Sequence, residues 1–165
     1  MSKICRFSLS RAIVKVRAMD MAQKELLAEA MLREQPALFN SVMVQRQMGV
    51  SIAKMDFLLN LTLICFQAMQ ETGLKWPVIS ELAFEQQLTR YVANIQFGAD
   101  LTENLGAQVI QHYIDDHPEK ELLAFVQSET ALWFNRIEPE SSDTFVMLTA
   151  GSVVNCIAHS ALATG

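Results

Sequence analysis

The sequence predicts an all-α fold: a single-domain bundle of six or seven helices with an apolar central helix. Three observations lead to this prediction. Apolar residues recur at intervals of three and four, which is the helical period, along almost the whole chain. Proline and glycine separate these stretches by short spacers, without a low-complexity linker. No run of alternating β-branched residues competes with this pattern, except near residues 13–16.

Composition narrows the class of protein. The chain has 165 residues, which suits one domain. Of these, 51% are hydrophobic and 19% are charged, against about 45–50% and about 25% in typical soluble domains. This composition excludes intrinsic disorder. Three widely spaced cysteines, Cys5, Cys65 and Cys156, match neither a disulfide framework nor a zinc motif and predict a cytoplasmic protein.

Residues 1–19 are predicted to be a basic N-terminal segment, followed by a helical bundle domain at residues 20–165. The segment has five basic residues and no acidic ones, whereas the remainder has eight basic and eighteen acidic residues. Such a composition is typical of an organelle transit peptide and also of a basic arm for nucleic acid. We favour a third interpretation, in which residues 13–16 pack on the body, because five charges make a weak electrostatic footprint.

The first two helices of the bundle are bounded by local signals. Asp20 can cap a helix that runs to about Glu34. Pro36 suits the first position of the next helix, since its missing N–H has no intrahelical partner there. Gly49 then interrupts the helical pattern.

The third helix is the most informative segment. Ser51 caps it, and Gly73 stops it after about Thr72. Apolar side chains cover nearly its whole circumference, which is typical of a buried central helix. Its apolar run at residues 57–66 is shorter than the roughly 20 residues that a bilayer span needs.

Four further helices are expected, each with a proline, a capping residue or a polar loop at its start. The fourth helix is expected to run from the turn at Trp76-Pro77 to about Phe97, and the fifth from Asp100 and Glu103 to the residue before Pro118. The sixth helix is expected to begin at Pro118. The last helix is expected to run from Ser141 or Ser142 to about Leu162.

The last helix is interpreted as a core or interface helix. Residues 144–163 carry no formal charge and are long enough to span a bilayer. Asn155 and His159 lie inside this stretch and no aromatic or basic anchor ends it, so a membrane span is not expected. Small side chains suit close packing of helices. The predicted interface residues are Ala150, Gly151, Val154, Ala158 and Ala161.

Two catalytic or recognition patterns are weighed and set aside. Cys156 and His159 share a helix face with Asn155 beside them, but a working nucleophile and base normally converge from separate elements. Residues 44–58 have a glycine where a helix-turn-helix motif would turn. Their second helix offers apolar side chains where base edges need polar ones, so nucleic acid is not an expected partner.

One dense group of metal-ligand side chains occurs, at residues 112–117. The weak candidates for metal ligands are His112, Asp115, Asp116 and His117. His112 and Asp116 lie four residues apart and could share a cation from one helix face. A site needs three or four ligands, usually from two elements, and no di-metal or metalloprotease motif is present. We therefore predict no metal and no other cofactor.

The sequence favours a non-enzymatic interaction protein that buries an apolar helix face in a homo-oligomer or against a partner protein. The first alternative is a binding module for an apolar small molecule held between helices. The second is a metal-dependent enzyme that uses the 112–117 group. Candidate ligand-binding residues for the first alternative are Met55, Phe66, Trp76, Phe84 and Trp133.

Overall fold

The computed structural model describes residues 1–164, and this part of the chain contains helices and no strand. The all-α prediction is confirmed. The helices are α1 (Arg6–Ala18), α2 (Met21–Glu34), α3 (Pro36–Met43), α4 (Ile52–Glu71), α5 (Glu81–Ala99), α6 (Glu103–Asp116), α7 (Lys120–Phe134) and α8 (Asp143–Ala161), with a short 3₁₀ helix (Val44–Met48) after α3.

The number of α-helices in residues 1–164 is eight, where the sequence predicted six or seven, because the basic N-terminal segment also forms a helix. In α1, Leu9, Ala12 and Val16 follow one another at intervals of three and four, and all are buried. Their face packs against α4. The β-branched residues at 13–16 lower helix propensity slightly, but burial of an amphipathic face supplies most helix stability in proteins.

The basic side chains of α1 form ion pairs with acidic side chains of the later helices. Glu71, at the end of α4, accepts two of them and keeps only 5% of its side chain exposed. The positive charge of this segment is therefore largely matched within the chain. The pairs are Arg6–Glu121 (3.1 Å), Arg11–Glu71 (3.1 Å), Lys15–Glu71 and Arg17–Glu129 (3.1 Å).

Several predicted boundaries are confirmed. The Asp20 carboxylate accepts a hydrogen bond from the Gln23 N–H at 2.8 Å, and the Gln23 side chain accepts one from the Asp20 N–H. Ser51 caps α4 through the Lys54 N–H. Gly49 and Gly73 have φ values of +84° and +69°, the left-handed region in which glycine has no Cβ penalty.

Three predicted starts are wrong in detail. The capping box of Asp100 and Glu103 is not formed, because Thr102 is the residue that precedes α6. The next helix begins at Lys120, since residues 118–119 form a turn ahead of it. Neither predicted serine caps α8 through its side chain; at this end Asp143 instead accepts a hydrogen bond from the Glu140 N–H at 2.9 Å.

The interior is built around α4 and α8. α4 packs against α1, α2, α3 and α8, and α8 packs in turn against α5 and α7. Phe66, with 1% of its surface exposed, lies among the largest fully buried side chains. By length and composition alone, α4 and α8 are each able to cross a membrane, and 56% and 67% of the relevant stretches are buried inside the fold.

Candidate functional site

The five predicted ligand-binding residues are not brought together. Phe66 is fully buried in the core, and the Trp76 indole donates hydrogen bonds to the Met69 carbonyl at 3.0 Å and to Thr72. Trp133 stacks on Phe57, with 4.1 Å between ring centroids. Met55 and Phe84 are half-buried against the core. None of the five lines the cavities described below.

The five predicted interface residues are all buried inside the chain. The smallest of them, Gly151, lies against the ring of Tyr91 on α5, so that a Cβ built on this glycine meets the ring at 2.3 Å. The small side chains of α8 thus serve close packing between helices of the same chain. They therefore offer little surface to a partner protein, although Ala150 and Gly151 line the groove between α7 and α8 that is described below.

The predicted metal candidates differ in burial. His112, Asp115 and Asp116 are exposed, whereas His117 is buried against α8. Among the residues that the structure describes, no group of three or more His, Cys, Asp or Glu side chains is arranged to hold a metal ion.

The pairing of Cys156 with His159 also fails on geometry. Cys156 is buried and His159 is exposed, although they are three residues apart on α8. Burial raises the pKa of the Cys156 thiol to about 12, and burial has the same effect on Cys65. Because the thiolate is the nucleophilic form of cysteine, these two thiols are unreactive near neutral pH.

A polar cavity of about 220 Å³ lies where α5, α6 and α8 meet. The residues from α5 and from α8 with its end recur at intervals of three, four and seven, so one face of each of these two helices lines the cavity, and α6 contributes Tyr113. The lining residues are Gln87, Arg90, Tyr91 and Asn94 from α5, Tyr113 from α6, His117 and Pro118 after it, and Asn155, Ala158, His159 and Leu162 at α8 and its end.

A hydrogen-bond network organises one wall of this cavity. The Glu119 N–H donates to His117 Nδ1 at 3.1 Å, so the imidazole carries its proton on Nε2. That Nε2–H donates to Asn155 Oδ1 at 3.0 Å, and the Tyr113 hydroxyl donates to the same oxygen at 2.7 Å. The Asn155 amide is therefore oriented by two donors on its oxygen.

The tyrosines of the cavity are held in their neutral form. Burial raises the pKa of Tyr113, although the hydrogen bond to Asn155 opposes this increase. Burial also raises the pKa of Tyr91, and the neighbouring Tyr113 adds to the effect. Both hydroxyls consequently remain protonated hydrogen-bond donors well above neutral pH.

The network continues to the start of the chain. Glu119 is 1% exposed, and its carboxylate accepts hydrogen bonds from the backbone N–H groups of Lys3 and Ile4 at 2.7 and 2.9 Å. The residues before α1 are thus joined through Glu119 to His117 and the cavity wall. Nothing in the sequence indicated this link, because its members lie 115 residues apart or more.

An apolar groove of about 350 Å³ lies between α7 and α8, with Tyr91 as the wall that it shares with the polar cavity. Apart from Ala150 and Gly151, which were predicted as interface residues, the sequence did not indicate the lining residues of this groove, because they occupy ordinary positions on separate helices. They are Tyr91, Leu123, Val126, Gln127, Thr130, Ala131, Phe134, Met147, Ala150 and Gly151.

A buried ion pair joins the beginnings of α4 and α8. Lys54 Nζ lies 2.6 Å from an Asp143 oxygen and 2.8 Å from Glu140. Burial alone lowers the pKa of Lys54, but its hydrogen bonds to the two carboxylates outweigh this and raise it overall. Burial raises the pKa of Asp143, yet the bond to Lys54 lowers it overall, so both groups are charged. This ion pair therefore connects α4 to α8.

The joined ends of α5 and α6 expose apolar side chains. Within residues 93–105, every residue whose surroundings are described is exposed except the half-buried Leu101. Phe97 is 59% exposed and Leu105 is 50% exposed. Further along α6, Ile110 is 55% exposed. We call Ile95, Phe97, Leu101, Leu105 and Ile110 the hairpin patch.

No protein-family model matches the chain, and comparison with curated proteins and with solved structures found no similar protein. Function is therefore inferred from the geometry of this chain alone.

Proposed function

We propose that the chain is a non-enzymatic helical interaction protein that buries the hairpin patch against a second copy of itself. The observation that carries this proposal is the exposure of Phe97, Leu105 and Ile110 on neighbouring helices. Apolar side chains left exposed at the joined ends of two helices offer apolar surface that an association can bury. The most common association of soluble proteins is a two-fold dimer, in which one patch meets its own copy.

The charge around the patch favours self-association over a strongly charged partner. Between Tyr91 and Gln111, the only formal charges are those of Asp100 and Glu103. Few like charges therefore have to approach one another when two copies meet. A partner chosen by electrostatic attraction would need a larger charge of one sign on this surface.

Analytical ultracentrifugation across a range of protein concentrations tests this proposal. We expect a reversible dimer whose dissociation constant rises at least about tenfold in Phe97→Ser and in Leu105→Ser, since each substitution removes apolar surface from the interface. Phe7→Ser and Val14→Ser are the matched controls, because both residues are 69% exposed on α1. A wild-type protein that stays monomeric at all concentrations would overturn the proposal.

A second candidate function is the binding of an apolar small molecule in the groove between α7 and α8. Its supporting observation is the groove volume of about 350 Å³, within the range of about 300–1,000 Å³ for ligand sites. Titration with naphthalene, followed through the Met147 methyl signal, tests it. Ala131→Trp should abolish binding by filling the groove, while Ala124→Trp, exposed on the same helix outside it, should not. A naphthalene response that Ala131→Trp leaves unchanged would exclude this site.

We also infer that the chain is one domain and that it is cytoplasmic. Support for the first comes from Ile4, Leu9 and Val16, which belong to the same buried cluster as the residues of α4 and α8. Support for the second comes from the cysteines at positions 5, 65 and 156, which are all free. Free thiols persist in reducing compartments.

A further inference from the structure

We infer that the polar cavity between α5, α6 and α8 binds a small oxyanion, either a carboxylate or a phosphate group. This site does not depend on the self-association proposed above. Of its eleven lining residues, Arg90 is the only one with a permanent charge, and none is an aspartate or glutamate. Such a lining is unusual in a chain that carries eighteen acidic residues and a net charge of −5.

The Arg90 guanidinium is available to a ligand. Within residues 1–164 it forms no ion pair, in contrast to the three arginines of α1, which each bind a glutamate. Arginine presents a planar fork of N–H donors that matches the oxygens of carboxylates and phosphates. An oxyanion is therefore the natural complement of this side chain.

Neutral donors surround the cavity as well. Tyr113 and His117 both donate to Asn155 Oδ1, which leaves the Asn155 Nδ2–H₂ group without a hydrogen bond in the described part of the chain. Asn94 and Gln87 add further amides from the α5 face. A site built from one cation and several N–H donors favours negative oxygens over neutral ligands.

The wall is also held by contacts within the chain that need no ligand. The Glu119 N–H holds the His117 ring, and the ring holds the Asn155 amide. The Tyr91 ring is held against Gly151, where no side chain intervenes. Donors that are already oriented lose little conformational freedom on binding, which increases affinity.

The cavity limits the ligand to a small one. Its volume of about 220 Å³ lies below the range of about 300–1,000 Å³ that is typical of sites for drug-sized ligands. Inorganic phosphate and acetate both fit this size and represent the two possible sources of the oxyanion. They are therefore the two probes of the experiment.

The test is an NMR titration of the isotope-labelled protein with sodium phosphate and, separately, with sodium acetate, at constant ionic strength. We expect saturable shifts of the Asn155 side-chain amide and of the His117 and His159 imidazoles. Saturation with phosphate alone identifies a phosphate site, saturation with acetate alone a carboxylate site, and saturation with both a general oxyanion site. Each of these outcomes supports the inference.

Arg90→Gln should weaken binding by about tenfold or more, because a hydrogen bond to a charged group is lost. Arg90→Lys keeps the charge without the fork and should bind with intermediate affinity. Arg46→Gln, the same charge change at an exposed residue outside the cavity, is the control. The inference is overturned if neither probe gives saturable shifts at these three residues, or if Arg90→Gln binds as tightly as Arg46→Gln.

Discussion

The helices α4 and α6 both carry apolar residues but have opposite surroundings. Half of the twenty residues of α4 are buried, whereas Gly106 is the single buried residue among the fourteen of α6. The difference follows from the neighbours of each helix: α4 is enclosed by α1, α2, α3 and α8, while α6 packs mainly against α5 and α7. The neighbours of a helix therefore contribute to which of its apolar side chains become core.

The difference in burial between α4 and α6 bears on the proposed function. Apolar side chains in α4 stabilise the fold, because they leave water when the chain folds. Apolar side chains in the hairpin patch remain in water in a single copy, and in the proposed dimer they would stabilise the association. The following predictions test this division, beginning with the largest expected effect.

Replacing one phenylalanine in each region separates the two roles. Phe66→Ala should lower the free energy of unfolding by about 3–5 kcal/mol, since it leaves a cavity in the core. Phe97→Ala should change the unfolding free energy of a dilute sample by less than about 0.5 kcal/mol, because the side chain is 59% exposed. Urea denaturation measures both values. Similar values for the two variants would show that the hairpin patch is part of the core.

The contact between α5 and α8 is expected to be intolerant of a methyl group. Gly151→Ala should lower the unfolding free energy by about 1–3 kcal/mol, because the new Cβ overlaps the Tyr91 ring. In a Tyr91→Ala background the same change should be neutral or stabilising, since alanine favours a helix over glycine by about 1 kcal/mol. This double-mutant cycle is read by denaturation. Equal effects in both backgrounds would contradict the contact.

Removing the charge that holds α1 should have the smallest effect. The Lys15 hydrogen bond, the Gln67 bond and the charges of Lys15 and Arg11 hold the pKa of Glu71 below its ordinary value, although burial opposes them. Glu71→Gln should therefore cost about 1 kcal/mol at pH 7.

The expected pH dependence of this effect follows from the sign of the pKa shift. A lowered pKa in the folded state stabilises the fold fully above the unfolded pKa of about 4.3, and the contribution is lost as pH falls through the folded pKa. The wild type and Glu71→Gln should therefore become equally stable in acid. A stability difference that persists unchanged to about pH 2 would contradict an electrostatic origin. Glu25→Gln, an exposed charge outside these ion pairs, is the control.

Parts of the fold that depend on neighbouring residues were predictable. Helix caps and tight turns depend on contacts between residues at most four positions apart, so they can be recognised in the sequence. Examples are the caps at Asp20 and Ser51 and the turns at Gly49 and Gly73. Helix α1 was not predicted as a helix, because its β-branched residues are weak helix formers and its stability comes from burial against α4.

The candidate sites were much less predictable. The sequence placed Asn155 and His159 in a possible catalytic group. In the structure, Asn155 instead accepts hydrogen bonds from His117 and Tyr113, which lie 38 and 42 residues away in the sequence. The aromatic residues selected for a ligand pocket are dispersed, since a large apolar side chain indicates burial without indicating which others it meets. The sequence did not indicate that Arg90 lines a cavity, because an exposed arginine on a helix is common.

The sequence by itself determined that the chain is helical and where most helices begin and end, since these features depend on hydrogen bonds and packing within a few residues. The apolar circumference of α4 also predicted that this helix is buried, but only the tertiary structure decided which helices enclose it and which side chains of α6 stay exposed. It also paired the basic start with acids such as Glu71, and brought Lys54 to Asp143 across 89 residues. These outcomes depend on how the helices are arranged in space, and a linear pattern does not contain that arrangement.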